Sequence, residues 1–282
     1  MKMYKGVILI LFAIFACQTT FAQDLKNANG YVQMFEVSAK IPTTNDKFFY
    51  ENDTIKVTYY FWGNRGIMQI SIFNKKDFPI YIDWNKSIMQ VNAEKLIYAY
   101  EANITPENAK LYKAYLHEGR NLSSMDYEAQ YQMGTTDKKK VETVTEVKAK
   151  GFYMSLRYHL TSTYSYKFDD NATAVTETRS DNSRETTDVY QAAFDSTNSP
   201  LKFSSKTTYS TNKDFVTEKV IFNNFWVSKV KEMDAKHFMG EKVGKTPEGF
   251  PIFKYPSRKS THFYVEIEKK NSIVYKKAKA TK

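Results

Sequence analysis

From Thr54 to Trp62 the side chains alternate, with Ile55, Val57, Tyr59 and Phe61 on one face and Lys56, Thr58, Tyr60 and Trp62 on the other. A period of two marks a strand with one buried face. Gly63-Asn64-Arg65-Gly66 has turn chemistry, and Met68, Ile70 and Ile72 then alternate with Gln69, Ser71 and Phe73, so the stretch predicts a β-hairpin. Phe78, Ile80, Ile82 and Trp84 share the apolar face of a next strand, whose start or edge position is marked by Pro79. Shorter strands are expected at Ile88 to Val91 and Glu94 to Tyr100, after an opening strand at Tyr31 to Ile41.

The alternation lapses between Glu101 and Lys150. Thr105-Pro106-Glu107 is a plausible helix start and Ala109 to His117 is helix-compatible, but the rest, including Lys138-Lys139-Lys140, holds few large apolar groups. Strand character returns at Phe152 to Leu160 and Thr163 to Phe168. Asp169 to Asp188 contains no aromatic residue and has the composition of a solvated loop or long hairpin tip. Further strands are predicted at Leu201 to Tyr209, Phe215 to Phe222, Phe225 to Lys231 and Thr261 to Glu268. Many short strands without a longer repeat imply a mainly β fold, an antiparallel β-sandwich that is immunoglobulin-like in the broad sense. It carries one short helical excursion, with polar insertions around 101–150 and 169–188 and a lysine-rich tail at 269–282.

The amino terminus follows a different logic. Lys2 and Lys5 precede an apolar stretch from Val7 to Ala16, and Thr20-Phe21-Ala22 supplies small residues before Gln23. This is the order of a cleavable secretory signal spanning residues 1–22, cut between Ala22 and Gln23. The apolar run is far shorter than the ~20 residues a membrane-spanning helix needs, so no transmembrane span is expected. The alternative start is Cys17 as a lipidated residue after Ile14-Phe15-Ala16, and Phe15 is a poor fit to that pattern. Cleavage after Ala22 leaves 260 of the 282 residues, a body at 23–282 from which the single cysteine is gone. Disulfides, thiolate metal sites and cysteine nucleophiles are then excluded. Loss of Lys2 and Lys5 takes the net charge from +10 to +8.

Several strings are distinctive together: Tyr50-Glu51-Asn52-Asp53, Phe61-Trp62, Phe73-Asn74-Lys75-Lys76-Asp77, Ile80-Tyr81-Ile82-Asp83-Trp84 with Lys86-Ser87, Ser199-Pro200-Leu201-Lys202-Phe203, and Phe225-Trp226-Val227-Ser228-Lys229-Val230. Taken as a set, spread from about Tyr50 to Phe238, they resemble strings of uncharacterised exported proteins of Bacteroidota. The resemblance implies a periplasmic or extracellular location and brings no activity with it.

Candidate chemistry is sparse. Asp83, next to Trp84 and followed by Ser87, is an acid on a core strand, and its expected role is to stabilise the turn after that strand. His262, Tyr264, Glu266 and Glu268 share one face, opposite Phe263, Val265 and Ile267, and alternation alone explains them as the wet face of an amphipathic strand. Glu232, Asp234, His237 and Glu241 would converge if their stretch were helical, with solvated loop as the expectation. His117, His159, His237 and His262 lack metal-like intervals, and no HExxH, Gly-x-Ser-x-Gly, Walker or dinucleotide motif occurs. No cofactor, metal or nucleic-acid partner is therefore expected. Tyr60 and Trp62, opposite the apolar face of their strand, are the candidate binding surface, since flat rings stack on sugars. Lys269, Lys270, Lys276, Lys277, Lys279 and Lys282 form either a solvated terminus or a contact to an anionic envelope surface. The expectation is an exported, non-catalytic sandwich with a binding or envelope-associated role. The alternative is a hydrolase of glycan or peptide whose carboxylates assemble from separate strands.

Overall fold

The structure is a computed structural model that describes residues 30–92, 94–97, 143–161, 165–245 and 251–280. The expected signal segment with Cys17, Ala22 and Gln23, the expected helix at Ala109 to His117, and His117 itself lie outside the described residues.

Sixteen strands are described, β1 (Tyr31–Ala39), β2 (Thr43–Thr44), β3 (Lys47–Glu51), β4 (Ile55–Tyr60), β5 (Ile67–Asn74), β6 (Ile80–Val91), β7 (Glu94–Ile97), β8 (Val144–Val147), β9 (Phe152–His159), β10 (Ala174–Thr178), β11 (Thr186–Ala193), β12 (Lys202–Ser210), β13 (Lys219–Asp234), β14 (Lys242–Lys245), β15 (Pro251–Phe253) and β16 (His262–Ile267). Two helices accompany them, α1 (Ala235–Met239) and α2 (Ile273–Ala280). The chain is mainly antiparallel β, arranged as two large curled, sandwich-like sheets and a two-stranded ribbon of β14 and β15. A five-stranded sheet runs β2-β3-β4-β5-β9, and a nine-stranded sheet is built on β13 and β6. β13 takes β1 along one edge, while β12 and then β11 follow one another along its other edge. β6 in turn pairs with β12 on one side and with β7 and β8 on the other.

The hairpin β4–β5 forms as its alternation predicts. Ile55, Val57, Tyr59 and Phe61 are fully buried, while Lys56, Thr58, Tyr60 and Trp62 are partly exposed. The buried set meets the nine-stranded sheet in one aromatic-rich core. Phe225 sits at its centre, with ring centroids 5.7 Å from Phe48, 5.0 Å from Tyr59, 5.2 Å from Phe61 and 5.3 Å from Phe203.

Three expectations change. The two strands expected at Phe215 to Phe222 and Phe225 to Lys231 are one strand, β13, because Asn223 stays in the sheet and donates to the buried Tyr59 hydroxyl at 2.8 Å. The segments at Phe78 to Trp84 and Ile88 to Val91 likewise merge into β6, which begins directly after Pro79. Residues 165–168 carry no strand. Here the Gln33 amide does a strand partner's work, accepting from Tyr166 N at 2.7 Å and donating to Tyr166 O at 2.7 Å.

A second apolar cluster lies on the opposite face of β1 and β16 from the main core. Val32, Met34, Val189, Met233, Phe238, Met239, Tyr255 and Tyr264 build it, with Trp62 and Phe253 packed against its rim. It forms because α1 and the segment ending at Tyr255 fold over that face. The sheet is therefore covered on both sides here, which is why Val32, Gln33, Met34 and Phe35 are buried in succession. Covered strands lose the simple alternation of a half-wet one. Among the described residues no helix is long and apolar enough to cross a membrane.

Candidate functional site

Of the acidic candidates on β13, Glu232 is buried and Asp234 half-buried, contrary to the expected solvated loop. Glu232 is 1% exposed and its carboxylate accepts from four donors: Gln33 Nε2 at 2.8 Å, Ser272 Oγ at 2.7 Å, Ile273 N at 2.7 Å and Val274 N at 3.3 Å. The last two are orphan N–H groups of the first turn of α2, so an acid on a strand caps a helix from across the fold. The lysine-rich tail is thereby held as a docked helix through residue 280, with Ile273 buried, rather than as a free solvated terminus.

Asp234 turns to different partners. It accepts from Arg179 Nη1 at 2.9 Å, Thr187 Oγ1 at 2.8 Å and, as N-cap of α1, His237 N at 3.0 Å. Burial works against its charge, but these three donors outweigh it and hold the carboxyl below its ordinary range. Glu177 behaves alike: burial opposes its ionisation, and Lys231 at 2.8 Å together with His237 reverses the balance. Glu241 lies beyond the end of α1 at Gly240, so the four residues do not converge.

His237 is 6% exposed, with Nδ1 at 3.2 Å from Ser180 N and Nε2 at 3.3 Å from Glu177 Oε2. A backbone N–H only donates, so Nδ1 must present its lone pair and the ring proton resides on Nε2, directed at Glu177. The Ser180 hydroxyl lies 3.5 Å from the same Nδ1. This juxtaposition of Ser, His and Glu imitates a nucleophile relay without its chemistry, because the basic nitrogen already accepts from the serine's own backbone.

Asp83 binds the backbone as expected but inside a strand rather than after it. Its Oδ1 accepts from Asn85 N at 2.9 Å and Lys86 N at 3.2 Å, while its carbonyl accepts from Ser87 Oγ at 2.5 Å. These bonds hold a bulge in which the β6–β12 register shifts between Lys206 and Thr208. On β16, His262 and Tyr264 are buried, so the wet-face reading fails for that half of the strand. Tyr264 enters the second cluster, and His262 Nε2 lies 3.7 Å from Glu36 Oε1. Hydrogen bonding to His262, set against burial, holds Glu36 below the usual carboxylate range. Glu268 pairs with Lys270 at 2.8 Å. Among the described residues no three His, Cys, Asp or Glu side chains are grouped to hold a metal.

Tyr60 and Trp62 part company. Trp62 packs against the second core, 5.5 Å from Tyr264 and 6.0 Å from Phe238 between ring centroids. Tyr60 stays on the outer face of the five-stranded sheet, where pairing creates a surface that no single strand displays. One row across it reads Glu51, Lys56, Phe73, Phe152, and the next reads Phe49, Thr58, Ser71, Met154. Tyr60 pairs with Gln69 in a third row. Phe152 is 64% and Met154 42% exposed, on a strand with β5 as its partner in that sheet. Phe73 and Phe152 lie 4.5 Å apart, Lys56 Nζ is 4.6 Å from the Phe49 ring and Lys47 Nζ is 5.0 Å from the Tyr60 ring. Sequence reasoning missed Phe49, Phe73, Phe152 and Met154. The available signal was large apolar residues at i and i+2 on the side of a strand that should be polar, as at Phe152 and Met154.

Comparison with protein-family models, curated proteins and solved structures returns no match to this chain.

Proposed function

We propose that this protein is exported to the periplasm or cell exterior and serves there as a non-catalytic binding module of the envelope. The observation that carries the reading is a division of labour between polar groups. The acids that sequence reasoning singled out on β6 and β13 spend their oxygens on internal donors, as Glu232 does on four and Asp234 on three. Phe152 and Met154, by contrast, stand exposed on a sheet face beside the partly exposed Phe49, Tyr60 and Phe73. Export is supported by the basic, apolar and small-residue order of residues 1–22.

Two measurements test it. Fractionation of expressing cells with intact-mass analysis should yield an envelope or medium species beginning at Gln23. A cytosolic species that keeps Met1, or one lipidated at Cys17, contradicts the stated processing. The purified mature chain should then be retained by an isolated envelope fraction, and loss of all retention rejects the binding role.

A further inference from the structure

We infer that the outer face of the five-stranded sheet is the binding surface and that its ligand is an acidic polysaccharide, a chain of pyranoses bearing carboxylates. The inference rests on the binding-module reading and adds the place and the chemistry. Four rings, Phe49, Tyr60, Phe73 and Phe152, lie on this face, and the rows of Phe49 and Tyr60 also hold Thr58, Ser71 and Gln69, whose amide donates to Met154 Sδ at 2.7 Å. A protein partner's apolar face would need contiguous apolar area, which those polar positions interrupt. A pyranose matches both: its C–H face stacks on a flat ring while its equatorial hydroxyls reach hydroxyl and amide groups beside that ring.

Charge selects among sugars. The ammonium groups of Lys47 and Lys56 lie over the Tyr60 and Phe49 rings, which leaves Phe73 and Phe152 as the stacking pair and places Lys56 beside Phe73 in the same row. Glu51, the carboxylate in these rows, is shared by Lys56 at 3.4 Å and Lys75 at 2.7 Å, which leaves the face with excess positive charge. A lipid surface fits less well. Lipid contact by a sheet face takes a continuous apolar band, which Thr58, Ser71 and the charged Lys56 and Glu51 interrupt here.

The test is isothermal titration of the full mature chain with oligogalacturonides and alginate oligomers, alongside neutral galactan oligomers, polyglutamate and phosphatidylglycerol vesicles. Uronide oligomers should bind, more weakly as salt is raised. Phe152→Ala and Lys56→Gln should each weaken that binding roughly fivefold, with unfolding midpoints little changed because Phe152 is exposed and Lys56 is partly exposed in a surface ion pair. Five results overturn the inference: binding of neither uronide, equal affinity for galactan, equal affinity for polyglutamate, preference for the vesicles, or uronide affinity untouched in both variants. Failure of the uronides with envelope retention intact refutes the ligand or its location alone, whereas failure of both removes the binding-module reading too.

Discussion

At the scale of single residues, a buried acid is informative through what it satisfies. Removing Glu232 leaves Gln33, Ser272 and the first N–H groups of α2 without their acceptor in the interior. Glu232→Ala should therefore lower stability by about 3 kcal/mol, since unpaired buried donors keep their full desolvation cost. Glu232→Gln, which keeps one oxygen acceptor, should lose less. Urea unfolding of both variants checks the ranking, and equal losses would contradict it. Asp234 and Glu177 add a pH dependence. Both carboxyls are held below their unfolded values, so their stabilisation is complete above the unfolded pKa and is lost as pH falls through the folded one. Melting temperature should accordingly drop as pH is lowered below about 4, and Asp234→Asn should flatten that acid limb while lowering the plateau. A limb of unchanged slope in the variant assigns the acid sensitivity elsewhere. The types and positions of these residues were legible in the sequence. Their saturation was not, because Glu232 and its partners Gln33 and Ser272 are far apart along the chain and adjacent only in space.

At the scale of elements, local chemistry decides turns and bulges. Gly66 closes the β4–β5 turn at φ +68°, and a Cβ there would lie 2.9 Å from the Phe263 ring and 3.0 Å from Leu160. Gly66→Ala combines left-handed backbone strain with a clash against buried groups and should cost about 2 kcal/mol or more, read from the unfolding midpoint. The Asp83–Ser87 bulge shows the same logic in polar form. It lets β6 turn Trp84 inward, where the indole N–H donates to Thr145 Oγ1 at 2.7 Å and ties β8 to the sheet. Trp84→Phe should thus speed amide exchange across Val144–Val147 relative to β12, and uniform protection would refute that role. Alternation revealed β4, β5 and β16, where apolar side chains recur every second residue. It missed β2, β8, β10, β11, β14 and β15, strands short or poor in large apolar residues that exist because a neighbour pairs with them, and also β3, whose consecutive Phe48, Phe49 and Tyr50 show no alternation.

At the scale of the whole molecule, two sheets share one aromatic centre and one sheet carries a second cluster behind it. Phe225 touches rings from both sheets, so Phe225→Ala should destabilise by about 3–5 kcal/mol, the range for a buried aromatic truncation. Trp62→Ala, at the rim of the smaller cluster, should cost less, and calorimetry of the two variants compares them. The β-rich class and the β4–β5 hairpin were determined by the sequence itself, because both depend on residues adjacent or alternating along the chain. Tertiary structure decided which polar faces stay wet. It buried Tyr264 against Phe238 of α1 and His262 beside Glu36, spent Glu232 on a distant helix, and separated Trp62 from Tyr60. It also aligned Phe49, Phe73 and Phe152 into one surface, since rows across a sheet are set by strand register, which residues far apart in the chain fix together.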